Sequence, residues 1–216
     1  IGGGAKDAWD QVGHILEAIS AKHEETPCAA FLGEAGAGHL VKTVHNGIEY
    51  ADMQMIAEVY GVMRDGFGMS ASEIGDVFEK WNGGILQSYL IEISGKVAKT
   101  ADPDTGKPML DIILDKAGQK GTGRWTVLAA VELGVAIPTI TAAVDARAMS
   151  AQKELRVLAE KNYAPARASL EGVTTEDIRA ALYCAKIASY TQGFAMLKAA
   201  SDERNYGSNF SEISRI

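Results

Sequence analysis

Hydrophobic and polar residues recur along this chain with the period of helices rather than strands. The first amphipathic helix is predicted over residues 5–21, and its apolar side is formed by Trp9, Val12, Ile15, Leu16 and Ile19. A longer helix is predicted from about residue 38 to 65, where Gly66 and Gly68 end it. Only "CAAFLG" could form a residual strand or a connector. We therefore predict an all-α fold, a multi-helix bundle.

Capping residues and helix breakers divide the rest of the chain. Ser70 and Glu73 have the spacing of a capping box, and Thr174 and Asp177 can cap the last long helix. That last helix is apolar almost all round, so we expect it to be buried inside the bundle. Between them the pattern predicts a helix with the stripe Leu86, Leu90, Ile93 and Val97, a short helix over 109–116, and a helix from Trp125 to about 161 that Pro138 breaks or kinks.

Composition excludes several classes of protein. The 216 residues are 47% hydrophobic, enough for a real core, and a net charge of -7 argues against a nucleic-acid binder, which needs a basic face. The two cysteines, Cys28 and Cys184, have no CxxC spacing, so we expect a reducing cytoplasm. The four histidines match no metal-ligand pattern, and no apolar run approaches the roughly 20 residues of a membrane span.

The stretch "HLVKTVHNGIEY" at residues 39–50 concentrates polar chemistry on one helix. Its apolar face is predicted to contain Val41, Val44, Ile48 and Met55. A second line, about a quarter turn away, contains Lys42, Asn46 and Glu49, with His45 and Tyr50 beside it. The simplest interpretation is a solvated stripe held by a lysine and a glutamate. The alternative is one wall of an active site, where Gly47 lets a neighbour approach the backbone closely.

A glycine-rich loop, "AGQKGTGR", precedes the helix that begins near Trp125. It is not the phosphate loop of nucleotide hydrolases, because Arg124 and Trp125 replace the required Lys and Ser/Thr. Exposed amides, the lysine Lys120 and the start of a helix nevertheless suit an anion. A lone arginine such as Arg147 is more often a surface residue.

These residues resemble a known family. "GAGHLVKTVHNGIEYADMQ" is similar to the signature helix of the 6-phosphogluconate dehydrogenases, NADP-dependent decarboxylating enzymes of the pentose phosphate pathway. "AGQKGTGRWT", "DARAMSAQKELR" and "DIRAALYCAKIASYTQGFAMLKAA" follow that family in order, so the resemblance covers almost the whole chain.

The resemblance implies a role for each site residue. Lys42 would remove the proton from the 3-hydroxyl of the substrate and later protonate the carbonyl oxygen of the keto intermediate. Glu49 would protonate the enediol left after CO2 departs. The substrate, 6-phosphogluconate, would be held through its hydroxyls and phosphate by His45, Asn46, Tyr50, Lys120 and Arg147.

The resemblance also implies what surrounds this chain. The family's NADP-binding Rossmann domain and its C-terminal tail are not recognisable here, so we expect no hydride transfer by this polypeptide alone. We expect residues 1–37 to connect from that domain, 38–200 to form the catalytic and dimerisation domain, and 201–216 to be a frayed tail. A cytoplasmic homodimer is expected.

Two alternatives stay open at this point. The β-hydroxyacid dehydrogenases share the helix with its glycine start, lysine and asparagine. They typically have a second asparagine where Gly47 stands and no glutamate matching Glu49. A helical dimerisation module without catalysis is the other possibility, and the solvated-stripe interpretation favours it.

Overall fold

The computed structural model describes residues 2–163 and 169–216. That part of the chain contains ten α-helices: α1 (Lys6–Ile19), α2 (Ala37–Gly61), α3 (Ala71–Asn82), α4 (Tyr89–Lys99), α5 (Met109–Ile112), α6 (Thr122–Glu132), α7 (Pro138–Ser150), α8 (Lys153–Asn162), α9 (Thr175–Arg204) and α10 (Phe210–Arg215). One π-helical turn, Val62–Gly66, follows α2. The predicted all-α fold is confirmed.

A small hairpin, β1 (Lys22–His23) with β2 (Thr26–Pro27), was not predicted. Its turn residues Glu24 and Glu25 have φ values of 46° and 65°. Such left-handed turns normally carry Asn or Gly, so two glutamates gave no hairpin signal.

Both predicted caps are present. The Ser70 hydroxyl accepts from the amide of Glu73, whose carboxylate accepts from the amide of Ser70. Thr174 and Asp177 exchange the same pair of bonds at the start of α9. These reciprocal bonds satisfy amides that a helix start leaves without partners.

Two predicted helix ends are wrong, but Pro138 breaks the helix, which is one of the two predicted outcomes: it is the first residue of α7, where a missing N–H does no harm. That helix ends at Ser150, and α8 is a separate element. The short helix α5 ends at Ile112, four residues before the predicted end.

The predicted apolar stripe of α4 is also wrong. Leu86 precedes the helix, and Val97 is 42% exposed. The buried side of α4 contains Ile91, Gly95 and Ala98. A Cβ atom added to Gly75 of α3 would lie 3.1 Å from the Gly95 carbonyl oxygen, so small residues let these helices approach closely. Hydrophobicity alone cannot find a contact made by glycines.

Two other faces are more exposed than the pattern predicted. On the apolar side of α1, Val12 is 46% and Ile19 is 76% exposed. On α9, Ile187 and Tyr190 are 50% and 54% exposed, so this helix is not buried all round.

The chain divides into two compact units. Unit 1 comprises the described residues of Ile1–Glu49, Lys120–Thr141 and Ser189–Ile216. Unit 2 comprises those of Tyr50–Gln119 and Ala142–Ala188. The division falls inside α2, between Glu49 and Tyr50, so the predicted site residues belong to both units. The domain limits at residues 37 and 200 stay predictions.

Unit 1 has its core where α2 meets other helices. Val44, Ile140 and Met196 are fully buried there. A Cβ atom added to Gly193 of α9 would lie 2.4 Å from the Ile48 side chain, which shows how closely α9 approaches α2. The expected frayed tail contains α10, and the buried Tyr206 before it accepts the amide of Glu34 at 2.7 Å.

Unit 2 has a larger apolar core. It is formed by the buried residues Ile56, Met63, Ile74, Phe78, Trp81, Leu86, Ile91, Ile178 and Leu182. Phe78 and Trp81 meet edge to face with ring centroids 5.6 Å apart, a favoured aromatic geometry.

Candidate active site

The polar line on α2 lies within unit 1. Lys42 is exposed, and Asn46 and Glu49 are half-buried. Two helical turns separate Lys42 from Glu49, a rise of about 10 Å along the axis. On the predicted apolar face, Val41 and Val44 are buried, with 8% and 0% exposure, which confirms the direction of that face.

A histidine stands between the lysine and the asparagine. The Nδ1 atom of His45 lies 3.3 Å from the Lys42 ammonium and 3.2 Å from the Asn46 side-chain oxygen. A ring nitrogen accepts through its lone pair or donates through its proton, so it cannot accept from Lys42 and donate to Asn46 at once. The two contacts are alternatives that the tautomer of His45 selects.

The solvated-stripe interpretation required a lysine–glutamate pair. Within residues 2–163 and 169–216, neither Lys42 nor Glu49 takes part in an ion pair. A carboxylate partner would stabilise the charged form of the lysine, and no such partner opposes proton exchange between Lys42 and a bound hydroxyl.

Gly47 allows a close approach, but by a neighbouring helix. A Cβ atom there would lie 2.7 Å from Cγ2 and 2.9 Å from Oγ1 of Thr126 in α6. The fully buried Thr126 hydroxyl lies 2.8 Å from the carbonyl oxygen of Thr43 and 2.9 Å from that of Thr122. The contact therefore fixes α2 against α6 beside the polar line.

The glycine-rich loop ends earlier than predicted. Helix α6 begins at Thr122, three residues before Trp125, after Gly121 with φ +106°. Only glycine adopts that conformation readily, so Gly121 turns the chain sharply into the helix. Lys120 is exposed two residues before the helix. Lys120 thus precedes the first amides of α6, and anion binding by this combination stays a prediction.

In unit 2, Tyr50 and Arg147 are stacked. The guanidinium carbon of Arg147 lies 3.8 Å from the centroid of the Tyr50 ring, which is 9% exposed. One Arg147 nitrogen donates to the Gly118 carbonyl oxygen at 2.8 Å, and another lies 3.6 Å from the sulfur of Met53. Arg147 is half-buried, so the expectation of a surface arginine is wrong.

The segment before the loop is fastened to α7 and α8. The amide of Ala117 donates to the Ser150 hydroxyl at 2.9 Å. Lys153 pairs with the carboxylate of Asp115, and Arg156 donates to the same carboxylate at 3.0 Å. Hydrogen bonds from Lys153 and then Arg156 lower the pKa of Asp115 from 3.8 to about 2.

A buried ion pair lies close to Tyr50 in the sequence. The Lys186 ammonium is 2.5 Å from the carboxylate of Asp52, and the two side chains are 13% and 11% exposed. Because both charges are withdrawn from water, each depends on the other. This pair is structural in character and joins α9 to α2 within unit 2.

The described residues show neither a metal-binding cluster nor a membrane-spanning helix. Among the described residues, no three His, Cys, Asp or Glu side chains gather in a way that could hold a metal ion. None of the helices described has the length and apolar character needed to cross a membrane.

Sequence reasoning missed four residues that shape the site. Thr126 packs on Gly47, and Met53, Gly118 and Ser150 surround or support Arg147. The glycine in the middle of α2 was a signal for a close contact, but its partner is far away in sequence. Ser150 lies one helical turn after Arg147, which a helical projection of α7 could have shown.

Comparison with known proteins identifies a matching family and several proteins similar to this chain. The family described as 6-phosphogluconate dehydrogenase, C-terminal domain, matches residues 38–216. The NADP(+)-dependent, decarboxylating 6-phosphogluconate dehydrogenase of Bacillus subtilis is 50% identical over 219 residues, covering 99% of this chain and 46% of that protein. The decarboxylating enzyme of Synechococcus elongatus is 48% identical, covering 99% and 47%.

A solved structure agrees with the sequence comparison. Plasmodium falciparum 6-phosphogluconate dehydrogenase, studied in its apo form and in complex with its cofactor NADP+ and its substrate 6-phosphogluconate, superposes with a TM-score of 0.93 at 45% identity. The match covers 99% of this chain and 47% of that one. This chain thus spans about half the length of the relatives it matches.

Proposed function

Because the chain belongs to the 6-phosphogluconate dehydrogenase C-terminal domain family, we propose that it is the substrate-binding and proton-transfer part of an NADP-dependent decarboxylating enzyme. That enzyme converts 6-phosphogluconate to ribulose 5-phosphate and CO2. The observation that carries the proposal is the line of Lys42, Asn46 and Glu49 on α2, in which the lysine contacts the His45 ring and no carboxylate among the described residues.

Lys42 acts first as base and then as acid. Its neutral amine takes the proton of the 3-hydroxyl as hydride leaves C3. The resulting 3-keto acid loses its carboxyl group as CO2, and the electrons of the broken bond move towards the C3 carbonyl oxygen. Lys42 returns its proton to that oxygen, which gives an enediol. The 3.3 Å contact with His45 supports this role, because it positions the Lys42 nitrogen without a carboxylate that would favour the charged form.

Glu49 completes the reaction. It donates a proton to the carbon that becomes C1 of the product, and the enediol collapses to the ketone. Its half-buried position two turns from Lys42 supports a separate acid, since the C3 oxygen and the neighbouring carbon take their protons from different directions.

The remaining predicted residues hold the substrate. We assign the sugar-acid hydroxyls to His45 and Asn46, and the 6-phosphate to Tyr50, Lys120 and Arg147. The neutral surroundings of Arg147 support this assignment, because its charge is available to an anion. A guanidinium matches a phosphate in bidentate fashion.

NADP, when bound, accepts the hydride from C3. We assign no residue of this chain to it, because the described residues contain only the two short strands β1 and β2 and hence no parallel βαβ unit for a dinucleotide. The relatives that this chain matches are about twice its length, and we propose that the cofactor is held mostly by their other half.

A chimaera tests the activity. In it, this chain replaces the matching half of the Bacillus subtilis relative. We expect NADP reduction with 6-phosphogluconate and none with 3-hydroxyisobutyrate. A folded chimaera that oxidised 3-hydroxyisobutyrate instead would contradict the substrate assignment.

Calorimetry with this chain alone tests the substrate pocket. We expect 6-phosphogluconate to bind and Lys120→Ala to weaken that binding. The matched control is Lys116→Ala, four residues earlier and equally exposed, which should bind as the unchanged chain does. Equal losses in both variants would mean a general charge effect and no specific role for Lys120.

We also propose that two copies of this chain form a homodimer. Trp125, Leu128 and Val131 follow one another at three-residue spacing on α6 and are 52%, 55% and 75% exposed, which supports an apolar contact face. Light scattering should give twice the mass of one chain, and Val131→Glu should reduce it. A monomer at all concentrations would contradict the proposal.

We also propose that the protein is located in the cytoplasm. Cys28 and Cys184 are both free thiols, which supports a reducing compartment. Fractionation of cells that express the native protein would test it.

A further inference from the structure

Arg147 differs in its partners from four other arginines of the described residues. Arg64, Arg156, Arg179 and Arg215 each donate to a carboxylate within 3.0 Å. Among the residues described, Arg147 meets a carbonyl oxygen, a thioether and an aromatic ring, and no carboxylate. Those partners fix the orientation of the guanidinium without cancelling its charge.

The carbonyl that accepts from Arg147 is itself held in place. Gly118 lies in a stretch without regular structure between α5 and α6, where a carbonyl would not be oriented by a helix. One residue earlier, the amide of Ala117 donates to the Ser150 hydroxyl at 2.9 Å. Further back, Arg156 donates to the backbone oxygen of Asp115 at 2.6 Å. Segment 115–118 is therefore tied to α7 and α8 at two points beside Gly118.

The same helix supplies both ends of this arrangement. Arg147 and Ser150 lie one turn apart on α7, so their side chains point to the same side of the helix. Ser150 fixes the segment, and the segment fixes Arg147 through Gly118. The guanidinium has five N–H donors, and the contacts among described residues use two of them. Three are left for a ligand.

We propose that Ser150 is a positioning residue, which sets the Arg147 guanidinium over the Tyr50 ring through segment 115–118 so that its remaining N–H groups receive the phosphate of the substrate. This rests on the proposed function for the identity of the ligand. The Ser150 hydroxyl accepts the Ala117 amide, and the proposal assigns it no contact with the ligand. Preorganisation of this kind increases affinity by reducing the freedom lost on binding.

The orientation of Arg147 can be measured without a ligand. Protons close above an aromatic ring are shifted upfield by its ring current, so the side-chain protons of Arg147 should have unusual NMR positions in this chain. Ser150→Ala should return them towards ordinary arginine values, and Ser150→Thr, which keeps the hydroxyl, should restore the shift. The control is Ser94→Ala, whose hydroxyl donates to Leu90 within α4 and has no link to this segment.

The same variants test the effect on binding. We expect Ser150→Ala to weaken 6-phosphogluconate binding about fivefold, the order expected for one neutral hydrogen bond, and to leave any binding of unphosphorylated gluconate unchanged. Ser150→Thr and Ser94→Ala should bind as the unchanged chain does.

Each outcome decides part of the question. Unaltered Arg147 shifts in Ser150→Ala overturn the positioning role, whatever the chain binds. Altered shifts with unaltered 6-phosphogluconate affinity, or an equal loss for gluconate, overturn the role in phosphate binding. If the unchanged chain binds no 6-phosphogluconate while the shifts respond as expected, the ligand assignment of the proposed function fails and the positioning of Arg147 stands.

Discussion

Two cationic side chains of the candidate site are held in opposite ways. Arg147 in unit 2 is fixed by a ring, a carbonyl oxygen and a sulfur atom, and the segment that carries the carbonyl is itself anchored. Lys42 in unit 1 is exposed, and its one described side-chain contact is the 3.3 Å approach to His45.

The difference in how they are held suits the two roles proposed for Lys42 and Arg147. A phosphate keeps its charge throughout the reaction, so a rigid, permanently charged guanidinium suits it. A group that takes a proton and returns it must change charge and follow atoms that move, so an exposed lysine without a carboxylate partner among the described residues suits that task. Rigid anchoring therefore indicates binding, and a loosely held lysine indicates proton transfer.

The largest expected effect is on the kinetics of the chimaera, where substitution of Lys42 and substitution of Arg147 should change different constants. Lys42→Ala should lower kcat by about 10²–10⁴-fold, because general acid–base catalysis contributes on that order. Arg147→Ala should act chiefly by raising KM for 6-phosphogluconate, because it removes binding that is present before and during the reaction. Steady-state kinetics with NADP in excess measures both.

An exposed lysine outside the candidate site serves as the control for these kinetic measurements. Lys22→Ala, an exposed lysine on the hairpin, should leave both constants unchanged. If Arg147→Ala lowered kcat as strongly as Lys42→Ala with no change in KM, the division of roles would be wrong.

The next effect concerns the buried ion pair of unit 2. Lys186→Met should lower the free energy of unfolding by about 3–5 kcal/mol, because the carboxylate of Asp52 is then left buried without its partner. Lys198→Met removes a pair with Asp202 whose side chains are 61% and 64% exposed, so it should cost less than about 1 kcal/mol. Urea unfolding measures the loss of stability in each variant. Equal losses in Lys186→Met and Lys198→Met would contradict the claim that burial makes the first pair more costly to break.

Two glycines of α2 should respond to alanine with opposite signs. Gly47→Ala places a methyl group 2.7 Å from Thr126 and should destabilise the fold by about 1–3 kcal/mol. Gly61→Ala has nothing within 4 Å and should be neutral or stabilise by up to about 1 kcal/mol. Combining Gly47→Ala with Thr126→Ala should recover most of the loss in thermal unfolding. A stabilising Gly47→Ala would contradict the close helix contact.

Local features of the sequence predicted the fold well. Periodicity gave the fold class, and the Ser70 and Thr174 caps could be predicted because both partners lie within one helical turn. The errors arose where distant residues decide the outcome. Gly95 is buried because it meets Gly75.

The candidate site shows the same limit. Helical spacing brought Lys42, Asn46 and Glu49 together, because all three lie on one element. Spacing gave no sign that Arg147 stacks on Tyr50, since 97 positions separate them and a cation–π contact leaves no sequence pattern. The resemblance to a family, and not the periodicity, led to Arg147.

The smallest effect is a pH dependence in the segment that supports Arg147. Asp115 has a folded pKa of about 2, below its usual 3.8, so its contribution to stability is complete above about pH 3.8 and is lost as the pH falls towards 2. Asp115→Asn should be less stable than the unchanged chain at pH 5, and the difference should shrink by pH 2. Urea midpoints across that range measure it.

Asp104→Asn, in the exposed turn between α4 and α5, is the matched control and should show no such convergence. A gap between Asp115→Asn and the unchanged chain that stayed constant from pH 5 to pH 2 would mean that the Lys153 and Arg156 contacts do not stabilise the segment.

The most direct test is a crystal structure of the chimaera with 6-phosphogluconate bound. We predict that the phosphate accepts hydrogen bonds from Arg147 and Lys120, and that the 3-hydroxyl lies about 2.6–3.2 Å from the Lys42 nitrogen, the reach of a general base. A substrate bound with its phosphate at Lys42, or away from both Lys42 and Arg147, would contradict the assignment of proton transfer to one cation and anion binding to the other.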